Sequence, residues 1–405
     1  MPRSRRGQRL SHSDLLLRPD TPGRGDRKLD AIIVPSARPA SSLEHAAGLA
    51  EELNVPLMVL ASRKARGAEI VQKIEDWGIV ADVIVIDMPA RPIQQLPALE
   101  TTADMFVDTP FRRKTDVSAK RNLGLLLARA IGWRQVMFLD DDITIPDALD
   151  LRRAAELLDG HAAVGLEIKG MLDNSVVCHA RRDLGDNQGT FVGGGALVVP
   201  TARDDGAFFP NIYNEDWFFL LDHTGIRPVT RTGQAQQLWY DPYVDPDRAR
   251  GEELGDTLAE GVFAAVSEDG KIDAAMDDGY WVGFLEVRRG LIGDLLRRAE
   301  ARPASQRRSH MVEALKAARG RSFLIEPVAC KRFLRAWDRD LRAWQDAFGD
   351  VRPDFGIHGA VSHFGLRQSA TIRLNRTGPA PKEPRLRQAR KRLEDQERRL
   401  AVTRR

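Results

Sequence analysis

VMFLDDDI, residues 136–143, is an apolar run long enough for a buried strand that stops abruptly at three consecutive carboxylates, Asp140, Asp141 and Asp142. Like charges this close are costly unless water or a cation balances them, so the run predicts a metal site at a sheet edge, where ligands bind in α/β proteins. The alternative is a solvated acidic turn capping a helix that starts near Pro146. Working upstream, AIIV at 31–34 reads as a first buried strand followed by a PSARPAS loop, PLMVLAS at 56–62 as a second strand and ADVIVIDM at 81–88 as a third. Between them, SSLE at 41–44 resembles a capping box that opens a helix, and GAEIVQKIEDWG at 67–78 predicts another. A further helix over Val117–Ile131 leads directly into the carboxylate strand. This alternation of strand and helix predicts a parallel α/β sheet.

Downstream, 147–160 reads as helix, and AAVGLEI, NSVVCHA and TFVGGGALVV read as strands. NEDWFFLLDH at 214–223 is expected to be helical. Beyond residue 251 the pattern is mostly helical, through EELGDTLAEGVFAAV, the 280–300 stretch, HMVEALKAAR and FLRAWDRDLRAWQDAF. The expected organisation is a disordered basic tail over 1–28, an α/β domain over 29–250, a helical extension over 251–375 and a second basic tail over 376–405. A charged helix over 385–400, with Leu386, Leu393 and Leu400 at heptad spacing, is too short for a coiled coil.

With 405 residues, 42% apolar and 29% charged, the chain suits one large globular domain with additions, or two domains. It lacks a membrane-spanning apolar run and the apolar core of a signal peptide, which predicts a cytoplasmic protein. High Arg and Ala with few Lys suggest a high-GC bacterial source. Cys178 and Cys330 stand far apart, which excludes a disulfide framework and a cysteine zinc site. The net charge of +3 is divided: residues 1–28 carry +5 and 382–405 carry +6, leaving −8 for the middle. An acidic body does not look like a nucleic-acid surface, whereas the tails are able to touch phosphates or anionic lipid without specificity.

Four motifs in order, SAKRNLG at 118–124, DDD at 140–142, VGGGAL at 192–197 and NEDWFF at 214–219, resemble those of GT-A-fold glycosyltransferases, closest to the family 2-like inverting group. The resemblance spans about residues 30–245. It implies a GT-A-like Rossmann-type mixed sheet flanked by helices, a UDP- or GDP-sugar donor, an acceptor hydroxyl, and Mg²⁺ or Mn²⁺ held by hard oxygen ligands. Asp140 and Asp142, with Asp141 between them, are the expected metal ligands; by resemblance Asp142 binds the metal directly, while Asp140 or Asp141 meets the ribose or a metal-bound water. Lys120 and Arg121 fall beside the diphosphate, and Asn122 bonds the base or ribose. Pro35, Ser36, Arg38 and Asp87 occupy the nucleobase region.

Gly193, Gly194 and Gly195 let an acceptor approach the backbone, unless they serve only a bulge or tight strand packing. Asp216, beside Glu215, is placed as the general base, against the rival of a helix N-cap. Trp217 stacks on a sugar or belongs to the core. His223 is the nearby candidate for the histidine ligand that many GT-A enzymes add after this motif, or else a helix C-cap. His179 either lines the acceptor side or is a satisfied core histidine.

Asp140, Asp142 and Thr144 match the DxDxT pattern of haloacid-dehalogenase-like phosphatases, but that pattern ends a first strand and here three strands precede it. Nucleotidyltransferases want a Gly-rich stretch after the first strand, and dinucleotide binding wants GxGxxG; neither is present. A catalytically inactive nucleotide-sugar-binding module remains the non-enzymatic alternative.

Overall fold

All six residues of β1 (Ala31–Ser36) are buried, as a strand covered on both faces requires. The structure, a computed structural model, describes residues 11–18, 27–102, 105–171, 175–203 and 206–373. After β1 come α1 (Glu44–Leu53), β2 (Leu57–Ala61), α2 (Gly67–Asp76), β3 (Asp82–Asp87), α3 (Val117–Ile131) and β4 (Gln135–Leu139). β1 pairs in parallel with both β2 and β4, and β2 with β3, so the predicted parallel α/β unit forms with its carboxylate strand beside β1.

The chain continues through β5 (Ile143–Thr144), α4 (Leu149–Leu157), β6 (Ala163–Gly170), α5 (Val176–Asp183), β7 (Ala196–Pro200), α6 (Glu215–Phe219) and β8 (Val229–Gln237). Then follow α7 (Pro246–Asp269), α8 (Asp278–Glu300), α9 (Gln306–Ser322), α10 (Pro327–Asp350), α11 (Gly356–His363) and β9 (Gln368–Arg373). The described residues form one mixed sheet in the order β5-β8-β6-β7-β4-β1-β2-β3-β9. β7 is antiparallel to β4 and pairs Ala196 with Leu139, so the glycine run enters β7 where β4 ends in its carboxylates.

Alternation along β1 sends Ile33 to one face and Ile32 and Val34 to the other. The first face packs with Leu123 and Leu127 of α3, Phe263 of α7, Trp281 of α8 and Trp337 of α10 in one apolar core. The second face packs under α1, α2 and α4. The C-terminal helices are therefore part of the covering of the sheet.

Several expectations need correction. Residues 11–18, placed in a disordered tail, dock on the body: Leu17 N–H donates to Val229 O, and buried His12 bonds Glu260 at 2.9 Å. The capping box at 41–44 is a 3-10 turn, Ala40–Leu43, in which Ser42 Oγ donates to Pro39 O and caps no helix. VVCHA, part of a run read as strand, opens α5, because Ser175 caps it by accepting from Cys178 N–H and Glu252 accepts from Val176 N–H. A short apolar run carries no period that separates buried helix from buried strand. TFVGGGALVV is extended only from Ala196, and the helix expected over 214–223 is confined to α6. The expected basic tail at 376–405 and the charged helix at 385–400 lie outside the described residues. Among the described residues, no helix is long and apolar enough to cross a membrane.

Candidate active site

The chain returns to the carboxylate edge of β4 from three directions, and one guanidinium gathers them. Arg121 sits in the second turn of α3 with only 3% of its side chain exposed. Its Nη2 donates to both oxygens of Asp140 at 2.9 and 3.1 Å, and its Nη1 donates to Glu215 Oε1 at 2.8 Å. Burial alone would push Arg121 down, but the carboxylates of Asp140, Glu215 and Asp216 outweigh it and hold the guanidinium charged. Desolvation raises the Asp140 carboxyl above its ordinary range, with Asp142 and Asp141 adding to it and Arg121 opposing.

The glycine run threads between these groups. A Cβ on Gly194 would meet Arg121 Nη1 at 2.6 Å and Asp216 Cβ at 2.8 Å, and one on Gly195 would meet Asp140 Oδ2 at 2.8 Å. Absence of side chains is what lets the backbone pass: Asp140 N–H donates to Gly195 O at 2.9 Å and Gly194 N–H donates to Asp216 Oδ2 at 2.6 Å. Asp216 is buried, and its other oxygen accepts from Trp217 N–H at 2.9 Å. Burial, then the charge of Glu215, pushes its carboxyl up to about 7 against the pull of Arg121 and the two amides.

On the other flank, Asp141 and Asp142 converge on the first βα loop. Ser36 Oγ donates to Asp141 Oδ2 at 2.6 Å, and Arg38 Nη2 donates to Asp142 Oδ2 at 2.8 Å while its Nε lies 3.4 Å from Asp141 Oδ1. The Arg38 side chain is 51% exposed, so this cation is held loosely and is exchangeable. Two hard-oxygen ligands already converging on one positive charge form a donor set that fits a divalent ion.

Not every expected residue takes its expected place. Lys120 is 1% exposed and spends its ammonium on Ser36 O and Ser62 Oγ, both at 2.7 Å, and on Asp116 at 3.1 Å. It ties three loops together rather than facing a diphosphate, and Arg121 holds carboxylates rather than phosphate. Asn122 is consumed in a reciprocal pair with Phe209, Nδ2 donating to O at 2.9 Å and Oδ1 accepting from N at 2.8 Å. Pro35 lies in buried β1 beside Leu60, not in a loop. Exposed Asp87 ends β3 and accepts from Gly67 N–H at the start of α2. Trp217 is core, packed against Phe191, Phe263 and His12, so the stacking role fails. His223 bonds Asp338 of α10 at 2.6 Å, so the contacts it makes are with a helix and not with the acid strand. His179 is buried under Tyr240, and burial lowers its imidazole to about 3.

Residue patterning missed Ser62 and Asp116, which fix Lys120; the only trace was a polar residue at the end of β2 and an acid just before α3. It also missed Trp239, 43% exposed, next to Leu238 whose N–H donates to Asp142 O at 3.0 Å. An aromatic directly after a polar strand was its signal.

A second acidic group lies behind this site. Ligand atoms of Cys178, Asp256 and Glu260 fall within 4.8 Å of one another. Asp256 is already engaged by Ser175 and Arg288 at 2.6 Å and by Asn214 at 3.2 Å, and Glu260 by His12. Burial, then the neighbouring acids, holds the Cys178 thiol protonated. This donor set suits packing better than a cation.

No protein-family model matches this chain, and no curated protein matches it.

Proposed function

We propose that the chain is a GT-A-type glycosyltransferase that moves a sugar from a UDP- or GDP-sugar to an acceptor hydroxyl with inversion. The observation that carries this reading is the Arg121 bridge, 2.9 Å from Asp140 and 2.8 Å from Glu215, which joins the acid strand and the Glu-Asp pair across a glycine turn. Two carboxylate groups some seventy residues apart then serve one reaction centre, with the mixed sheet and the strand-end position in support.

In this reading Asp216 is the general base. A carboxylate poised near 7 takes the acceptor proton at neutral pH, while the hydroxyl oxygen attacks the anomeric carbon and the bond to the nucleoside diphosphate breaks. Gly194 N–H orients its Oδ2, and Glu215 with Arg121 holds its helix against the acid strand. Asp141 and Asp142 would hold Mg²⁺ or Mn²⁺, whose charge offsets that of the leaving diphosphate. A phosphatase with Asp140 as nucleophile is less well supported, because the acid strand β4 follows β1, β2 and β3 instead of opening the domain.

The test is a thermal-shift and turnover series with UDP- and GDP-sugars in Mn²⁺. A donor that binds only the folded state raises the melting temperature of wild type but not of Asp142→Ala. Asp216→Asn keeps that shift and loses turnover by about 10²–10⁴-fold. No shift with any sugar nucleotide refutes the transferase reading, and full turnover in Asp216→Asn refutes the base.

A further inference from the structure

Several arginines of this molecule are paired with carboxylates: Arg121, Arg248, Arg288 and Arg298 each have an acid within 3 Å. One group is not. An open recess of about 420 Å³ is lined by Arg63, Arg112, Arg113, Lys114, Thr115 and Asp116. Among the described residues, none of the four cations pairs with a carboxylate, and the one acid in the wall, Asp116, is taken by Lys120 at 3.1 Å. The recess also opens at the N-terminus of α3, a helix of 15 residues whose first amides add partial positive charge.

The cations are held in place at some cost. Arg63 adopts φ +56°, a left-handed conformation disfavoured for a residue with a Cβ, and its guanidinium donates to Lys114 O. Arg113 Nε is buried without a hydrogen-bond partner, and its guanidinium lies 5.8 Å over the ring of Tyr213, two residues before Glu215. The loop carrying them is pinned from behind: Arg321 of α9 donates to Pro110 O and stacks over Phe111, and Phe106 stacks on Phe333. Lys120 connects the recess to the acid strand, since it bonds Asp116 and Ser62 on one side and Ser36, the partner of Asp141, on the other.

Three unneutralised cations on this pinned loop, with Arg63 joining them from the loop after β2, concentrate positive charge in one recess that an anion would complete. We propose that this recess binds a phosphate-bearing group of a substrate, the diphosphate of the donor or a phosphoryl group on the acceptor. Its assignment to a substrate of the transfer reaction rests on the transferase reading above; its charge and shape do not. Arginine forks match phosphate oxygens bidentately, which suits Arg112 and Arg113.

The full chain, titrated calorimetrically with inorganic pyrophosphate, UDP and glycerol 3-phosphate in Mn²⁺-free and Mn²⁺ buffers, tests this. Arg112→Gln/Arg113→Gln should weaken phosphate binding by about tenfold or more, whereas Arg332→Gln/Arg335→Gln, which removes equal charge from an exposed face of α10, should leave it unchanged. Competition between UDP and pyrophosphate assigns the recess to the donor; binding of glycerol 3-phosphate that UDP does not displace assigns it to the acceptor. Equal weakening by both double variants, or none by either, overturns the proposal, as does a wild type that binds none of the three probes. If the double variant melts early, Lys114→Gln, an exposed substitution, should weaken binding about threefold, and no change there counts against the proposal in the same way. A sugar nucleotide that depends on Asp142 but not on Arg112 and Arg113 excludes the donor assignment, and sinks the recess while sparing the transferase when glycerol 3-phosphate binding is equally unaffected by Arg112→Gln/Arg113→Gln. Probe binding that depends on the recess, with no sugar nucleotide bound or turned over, does the reverse.

Discussion

Two buried arginines, Arg121 and Arg288, each hold a pair of carboxylates, and their surroundings differ in one respect. Arg288 on α8 is fully buried, with Glu253 and Asp256 at 1% and 3% exposure, so its pairs are sealed among helices. Arg121 is as buried, but Asp140 at its far side is 32% exposed and two glycines lie against it. A sealed network neutralises charge that the fold has enclosed, whereas a network open on one side holds acids where a substrate is able to reach them. The two meet at Asn214, which bonds Asp256 at 3.2 Å and precedes Glu215. The helical region thus backs the candidate site without entering it.

The sharpest way to break that comparison is Arg288→Met. Removing the cation leaves Glu253 and Asp256 buried and uncompensated, and breaking a buried pair in this way costs about 3–5 kcal/mol. Urea denaturation should show that loss while the folded fraction keeps sugar-nucleotide binding. Normal stability with lost binding would mean that the sealed network is itself functional.

Gly194→Ala probes the open network. Its Cβ would fall 2.6 Å from Arg121 Nη1 and 2.8 Å from Asp216 Cβ, and both neighbours are fixed by other bonds. The expected cost is about 1–3 kcal/mol in stability from overpacking, with a loss of turnover about 10-fold or greater as Asp216 is displaced. A Gly194→Ala protein with wild-type turnover would remove the glycine turn from the site.

Acidity separates the regions further. The carboxyl of Asp216 is raised from 3.8 to about 7. Because its folded pKa is raised, the neutral form stabilises the fold: that contribution is complete below pH 3.8 and is lost as pH rises through about 7. Wild type should therefore lose stability as pH rises across this window, on the order of 1–3 kcal/mol, and Asp216→Asn should lack that slope, in denaturation curves taken at several pH values. Turnover moves the opposite way, increasing through about pH 7 as the base loses its proton. A flat profile for both quantities would detach Asp216 from the chemistry.

Sequence patterning located the strands that place the site. β1 to β4 are continuous apolar runs, and α3 occupies the residues predicted for it, because burial on both faces leaves little ambiguity. β8 stayed hidden because VTRTGQAQQ is polar: it lies near the sheet edge, with Gly233 at φ +64° beside Asp150 and a shift of register against β6. The acids and glycines of the site were legible as motifs. The bonds between them were not: whether Lys120 faces a ligand or Ser36 O, and whether Asn122 meets a base or Phe209, depends on where distant loops return. Local pattern reports charge and period, and it is silent on which partner arrives first.

The smallest expected effect is at His223, and it tests how far the open network extends. Its bond to Asp338 is between half-exposed side chains, 37% and 25% exposed, on the α10 side of the molecule. Such pairs contribute about 0–1 kcal/mol. His223→Gln should thus change stability by less than about 1 kcal/mol and leave the Mn²⁺ dependence of sugar-nucleotide binding unaltered. Asp142→Ala, by contrast, should abolish that dependence, because in the proposed site Asp141 and Asp142 are the hard-oxygen ligands, now paired with Arg38. A tenfold loss of Mn²⁺ affinity in His223→Gln would place the imidazole among the ligands and require the loop after α6 to swing from α10 to the acid strand when donor binds.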